Sequence, residues 1–185
     1  MRLGFPTVLI LIAVVLQGCG ASGAGGNARI AQDRGASEAY REDLKIEERA
    51  INRIYDQIRV FIHVNVTSFK RNVLISGEVP DETTRTAVEK IVSGIEGVRH
   101  VNNELVISGN SSLPSRSNDS MITSRIKLQL ARDRRVNSGN IKVVTENGTV
   151  FLMGNVKRAE ADAAADVAST TNGVSLVVKL FEYTD

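Results

Sequence analysis

The stretch "TENGTVFLMGNV" (Thr145–Val156) decides the fold. Asn147-Gly148 sits between two apolar runs. Both central residues of a two-residue hairpin turn need positive φ, and Asn-Gly meets that need at least cost. The spacing predicts one strand entering the turn at about Asn140–Thr145 and a second leaving it from Thr149 to about Met153. Gly154 then marks a bulge or a close approach of another backbone.

Downstream, the Ala-rich run at about Arg158–Thr170 predicts a helix, with Gly173 as a plausible stop and a last strand over Val174–Tyr183. Small Ala161, Ala164, Ala165 and Ala168 would let that helix lie close to its sheet. Upstream, Asn118 and Asp119 are cap candidates for another helix. The order is α-β-β-α-β. It predicts an α+β unit with two helices on one face of a small mixed sheet.

The unit occurs twice. "VNVTSFKRNVLISGEV" (Val64–Val79) lies over "IKVVTENGTVFLMGNV" (Ile141–Val156) without a gap at an offset of 77. Val73 falls on Val150, Gly77 on Gly154 and Val79 on Val156. One deletion then places Gly97-Val98 on Gly173-Val174. In the first copy Ala87, Val88, Ile91, Val92 and Ile95 form the apolar face of the second helix, and Val98–Ile107 the last strand. The chain thus divides into residues 1–18, a signal; 19–37, a flexible Gly/Ala/Ser-rich tether; 38–110, the first domain; 111–117, a polar linker; and 118–185, the second domain.

The N-terminus reads "MRLGFPTVLILIAVVLQGCG". Arg2 precedes an apolar run, Val8–Leu16, too short for a permanent bilayer span, which needs about 20 residues. It fits the hydrophobic region of a secretory signal. Leu16-Gln17-Gly18-Cys19 resembles a bacterial lipobox, which implies acylation of Cys19, the one cysteine of the chain. The alternative is a plain secretory signal with an incidental cysteine. Gly20, rather than Asp, after the cysteine implies sorting to the outer membrane. Several acyl chains, at about 0.8 kcal/mol per buried methylene, anchor firmly.

This grammar, carried most clearly by Asn118–Thr123, Thr145–Val156 and "AEADAAADVAS" (Ala159–Ser169), resembles the BON domain. Two such domains behind a lipobox are similar to the dual-BON outer-membrane lipoproteins, the division- and outer-membrane-stress-associated lipid-binding family. The resemblance implies phospholipid binding, envelope integrity and no catalysis. It places the lipid-facing element on the first helix of the second domain. It also implies a Trp where this chain has Met121, so a polar handle suited to the membrane interface is missing.

That helix can be read from its own residues. At 100° per residue from Met121, Ile122, Ile126 and Leu130 fall near about 100°, 140° and 180° and make a core stripe. Met121 and Leu128 fall near about 0° and 340°, with Arg125 and Arg132 beside them and Lys127 further round. Arg134 and Arg135 continue the positive charge. Apolar side chains flanked by cations suit an anionic bilayer surface such as phosphatidylglycerol or cardiolipin. The expected phospholipid-binding set is Met121, Ser124, Arg125, Lys127, Leu128, Arg132 and Arg135. The same face could instead dock on the other domain or on an envelope protein partner. The charge split leans toward lipid: residues 38–110 carry 10 basic and 12 acidic side chains, residues 118–185 carry 9 and 8. The first domain's matching helix holds Glu42, Asp43, Glu47 and Glu48, so it is expected to be structural or to contact protein.

No P-loop, GxSxG or HExxH occurs, so no enzyme chemistry, cofactor or metal is expected. Nucleic-acid binding lacks an aromatic platform and a basic domain. His63 reads as a strand residue rather than a ligand. Glu78 and Glu146 lie near turns and read as solvated acids.

Overall fold

The computed structural model describes residues 26–109 and 113–185, with side chains over 38–109 and 115–185. Cys19 and the lipobox lie outside the described residues. The first domain runs α1 (Gly26–Gln57), β1 (His63–Phe69), β2 (Asn72–Val79), α2 (Glu82–Ser93) and β3 (His100–Ile107). The second runs α3 (Leu113–Arg132), a 3-10 turn at Ser138–Asn140, β4 (Ile141–Glu146), β5 (Thr149–Val156), α4 (Arg158–Ser169) and β6 (Leu176–Tyr183).

Each sheet has its middle strand, β2 or β5, antiparallel to the strand before it and parallel to the strand after its helix. A hairpin joins the antiparallel pair, whereas the parallel pair needs the helical crossover. The registers repeat: Val64 pairs with Gly77 and Ile141 with Gly154. The two α+β units are copies of one design. The deleted residue falls between β5 and α4, where Lys157 replaces Pro80-Asp81. Asp81 caps α2 by accepting the Thr84 N–H at 2.7 Å. Lys157 makes no such bond, and the Asp185 carboxylate accepts from the Arg158 N–H at 3.1 Å instead.

Helix starts differ from expectation. The stretch 19–37, read as tether, is helical from Gly26 on. Ala28, Arg29, Ala31, Gln32 and Arg34 are good helix formers and extend a helix already docked downstream, but they carry no apolar period that a pattern search would see. Likewise α3 begins at Leu113, upstream of the expected cap. Asp119 lies inside the helix, buried, and caps the β4–β5 hairpin: the Asn147 and Gly148 N–H groups donate to it at 2.8 and 2.9 Å.

Ile122, Ile126 and Leu130 are fully buried, as their stripe predicts, each worth about 1.5–3 kcal/mol. They meet Val143, Val150, Leu152 and buried Ala161, Ala164 and Ala168. Ala163 is buried as well, whereas Ala165 is only partly covered. In the first domain Ile46, Ala50 and Ile54 of α1 pack on Val88 and Val92 of α2 and on Val73 and Ile75 of β2.

The helices cover one face of each sheet. The opposite faces cover each other. Leu74 of β2 packs with Phe151 and Met153 of β5, flanked by Phe69, Val144, Val178 and Leu180. The two domains therefore stack as four layers, helices outside and sheets within. This explains why β2 and β5 are buried on both faces. Polar links ring the apolar contact: Lys142 Nζ donates to Glu47 at 2.8 Å and to the Ser68 carbonyl at 3.0 Å, and Arg99 donates to Glu182 at 2.9 Å.

Candidate functional site

The sheet faces are spent on each other, so the helices present the outer surface. On α3, Met121 is 51% and Leu128 53% exposed, although both are large apolar side chains. Neither belongs to the apolar cluster that joins the two sheets. Arg125 and Arg132 flank them, exposed, and among the described residues neither has an ion-pair partner. Ser124 donates back to the Ser120 carbonyl at 2.9 Å. With Ser117, Ser120, Met121 and Arg125 it lines a shallow depression.

The remaining expected residues differ. Lys127 is exposed on another flank of α3, beside Leu130, Ile141 and Val143. Arg135 donates to Asp133 at 2.7 and 3.1 Å and lies 3.8 Å from Asp166. Its hydrogen bonds hold the Asp133 carboxyl at about 2, well below the ordinary value of 3.8. The charge of Arg135 is thus matched locally, while Arg134 beside it is exposed. On the first domain Asp43 is buried and accepts the Lys70 and Arg71 N–H groups at 2.8 Å, and Glu47 holds Ser68 and Lys142. Of Glu42, Asp43, Glu47 and Glu48 on α1, two are therefore internal supports. Phe61, 84% exposed just after α1, is the largest apolar exposure among the described residues, and the sequence pattern does not mark it. It stands outside any periodic run and so leaves no pattern.

A second constellation lies where the domains meet. His63 opens β1, and its register partner on β2 is Glu78. The ring Nδ1 is 2.7 Å from Glu78 Oε2 and 3.7 Å from Glu146 Oε1, which comes from the end of β4 in the other domain. Asn65 Nδ2 donates to Glu146 Oε2 at 2.8 Å and lies 3.4 Å from His63 Nε2. The side chains of Glu78 and Glu146 are only 5% and 10% exposed. Both are largely withdrawn from solvent, contrary to the expectation from their place near turns, because stacking of the two sheets covers them, although Glu146 still borders a groove. Burial is the main cause that pushes the Glu146 carboxyl above 4.5, helped by the Glu78 and Asp119 charges, and Asn65 and His63 oppose it. His63 is a strand residue as read, yet its ring gathers a carboxylate from each domain. Only the domain packing, invisible in one sequence, brings the three together.

The BON domain model matches residues 46–109 and again 118–185, the two repeats just described. The chain belongs to the BON-domain family. Among BON-domain relatives, outer membrane lipoprotein DolP of Haemophilus influenzae is 37% identical over 183 residues, 96% of this chain and 95% of its own. A 21 kDa hemolysin of Actinobacillus pleuropneumoniae is 36% identical over 144 residues, 77% of this chain and 74% of its own. Osmotically-inducible protein Y of Escherichia coli is 32% identical over 117 residues, 62% of this chain and 58% of its own. Among the described residues of this BON-domain chain, no helix is long and apolar enough to cross a membrane.

Proposed function

We propose that this chain is a non-enzymatic outer-membrane lipoprotein, anchored by Cys19 on the periplasmic face, that meets anionic phospholipid through α3 and supports envelope integrity. Likeness to a lipoprotein of the outer membrane over nearly the whole of both chains supports the envelope role. One observation carries the lipid reading: Met121 and Leu128 stay half exposed between two unpaired guanidinium groups. Apolar side chains enter the headgroup boundary while cations meet phosphates, each cation worth about 1 kcal/mol near an anionic surface. The matching helix α1 carries exposed Tyr40, Leu44 and Tyr55 but has seven acidic against six basic side chains, so it offers anionic lipid no cationic excess.

The test is a titration of a form lacking residues 1–19 with phosphatidylglycerol or cardiolipin micelles, followed by amide chemical shifts. Shifts centred on Met121, Arg125 and Leu128, abolished by Met121→Glu, support the reading. Shifts centred on Phe61, or binding indifferent to Met121→Glu, overturn the site. Binding to an envelope protein without lipid, through the same face, would favour docking over membrane contact.

A further inference from the structure

The strands His63–Phe69 and Asn72–Val79 set four residues in one block on the face turned toward the second domain. His63 pairs with Glu78, and Asn65 with Ser76. Such cross-strand neighbours lie about 5 Å apart at Cβ. Glu146 closes the block from the other domain. One buried and one part-buried carboxylate thus face one imidazole. A single proton on the ring balances only one of them, and a buried unbalanced charge is costly. Of the other charged groups lining this groove, Asp119 is committed to the Asn147 and Gly148 N–H groups, Lys142 is committed to Glu47, and Arg116 has its own interaction. Ser76, fully buried in the same block, has a hydroxyl with no hydrogen-bond partner.

We propose that His63, Glu78 and Glu146 form a divalent-metal site, suited to zinc, that clasps the two domains together. One ligand atom from each lies within 4.8 Å of the others. Around a tetrahedral zinc with bonds near 2.0–2.1 Å, ligand atoms stand about 3.3 Å apart. The 3.7 Å gap between His63 and Glu146 is close to that spacing, and the 2.7 Å gap to Glu78 must open slightly. The metal takes the place of the Nδ1 proton. The neutral imidazole then carries its proton on Nε2, giving up the long contact with Asn65 Nδ2. Asn65 keeps its bond to Glu146 and so orients that ligand. One imidazole with two carboxylates selects zinc over magnesium or calcium, which want more oxygen ligands. The groove of about 580 Å³ that His63 and Glu146 line gives an entry path and room for a water at the fourth position.

The test uses the full chain in nonionic detergent, stripped with a chelator and titrated calorimetrically with zinc chloride. One zinc should bind per chain and raise the melting temperature. Magnesium chloride should give neither effect. Affinity should weaken in acid, because the metal competes with protons for its ligand atoms. Glu146→Gln and His63→Asn should each weaken binding about tenfold or more. X-ray absorption on the unaltered chain needs no variant to fold, and should show imidazole nitrogen and oxygen without sulfur. Absence of stoichiometric binding, full affinity in Glu146→Gln, or a sulfur ligand placing the metal at Cys19 would each overturn the proposal. None of these outcomes bears on lipid contact by Leu113–Arg132, which is read by Met121→Glu.

Discussion

The Asp119 carboxylate accepts the Gly148 N–H at 2.9 Å and the neighbouring Asn147 N–H at 2.8 Å, tying the middle of α3 to the β4–β5 hairpin. Asp43 does the same for Lys70 and Arg71 in the other repeat. Buried backbone donors need acceptors, and a carboxylate satisfies two at once with charge-assisted strength. The first hairpin depends on this more, because Lys70 and Arg71 hold φ of 50° and 70° without a glycine. Asp119→Ala should cost about 2–4 kcal/mol in chemical denaturation, and Asp43→Ala at least as much, because each strands two buried or part-buried N–H groups. A loss near that of an ordinary surface change, about 0.5 kcal/mol, would show that water replaces the carboxylate.

Gly77 and Gly154 occupy the same place in the two repeats but are not equally replaceable. A Cβ on Gly77 would come within 2.1 Å of the His63 carbonyl oxygen, and its φ of 120° is one that L side chains avoid. A Cβ on Gly154 would stand 2.5 Å from the Asn140 carbonyl oxygen, with no positive φ. Both are close approaches of backbone, as the sequence pattern foresees at Gly154. Gly77→Ala should destabilise by about 3 kcal/mol or more, and Gly154→Ala by less, in thermal melts. Equal effects would mean that strand separation, not backbone conformation, sets the cost.

What the sequence makes legible is what local periodicity and turn chemistry encode. Asn147-Gly148 forms the expected hairpin, with φ of 49° and 75°. Ile122, Ile126 and Leu130 point inward because a four-residue repeat admits no other common face. The start of α3 is not legible because Asn118 and Asp119 look like caps, while the Asp119 side chain reaches across to another element. The contact of Leu74 with Phe151 and Met153 is hidden for a different reason. A strand buried on both faces is simply apolar throughout, so it does not say what covers its second face. The His63, Glu78 and Glu146 cluster inherits that blindness, since its members meet only after the sheets stack.

The Glu146 carboxyl is pushed above its ordinary 4.5, first by burial. The folded state therefore holds a proton that the unfolded chain has already lost. Unfolded chains bind fewer protons in that window, so stability falls as pH rises from 4.5 through the folded value. Glu146→Gln removes the titration. In the presence of chelator, the variant should gain stability relative to the parent as pH rises above 4.5, then stay level once the folded carboxyl has also lost its proton. Denaturation curves whose difference is constant across that range would show that Asn65 and His63 fully offset the burial.

Arg125 and Arg132 are unpaired on the Met121 face, whereas Arg135 is bound to Asp133. Binding to phosphatidylglycerol vesicles by a form lacking residues 1–19 should therefore separate them. Losing either free cation should weaken partitioning by about fivefold at low salt, near 1 kcal/mol. Arg135→Ala should change it little, because its charge already serves Asp133. Salt should weaken the parent and narrow the gap, since exposed charges are screened within about 8–10 Å near physiological ionic strength. Met121→Trp should tighten binding, because the indole adds a polar handle at the interface that Met lacks. Equal losses for all three arginines would assign the attraction to general charge rather than to this face, and Met121→Trp without effect would place Met121 outside the bilayer boundary.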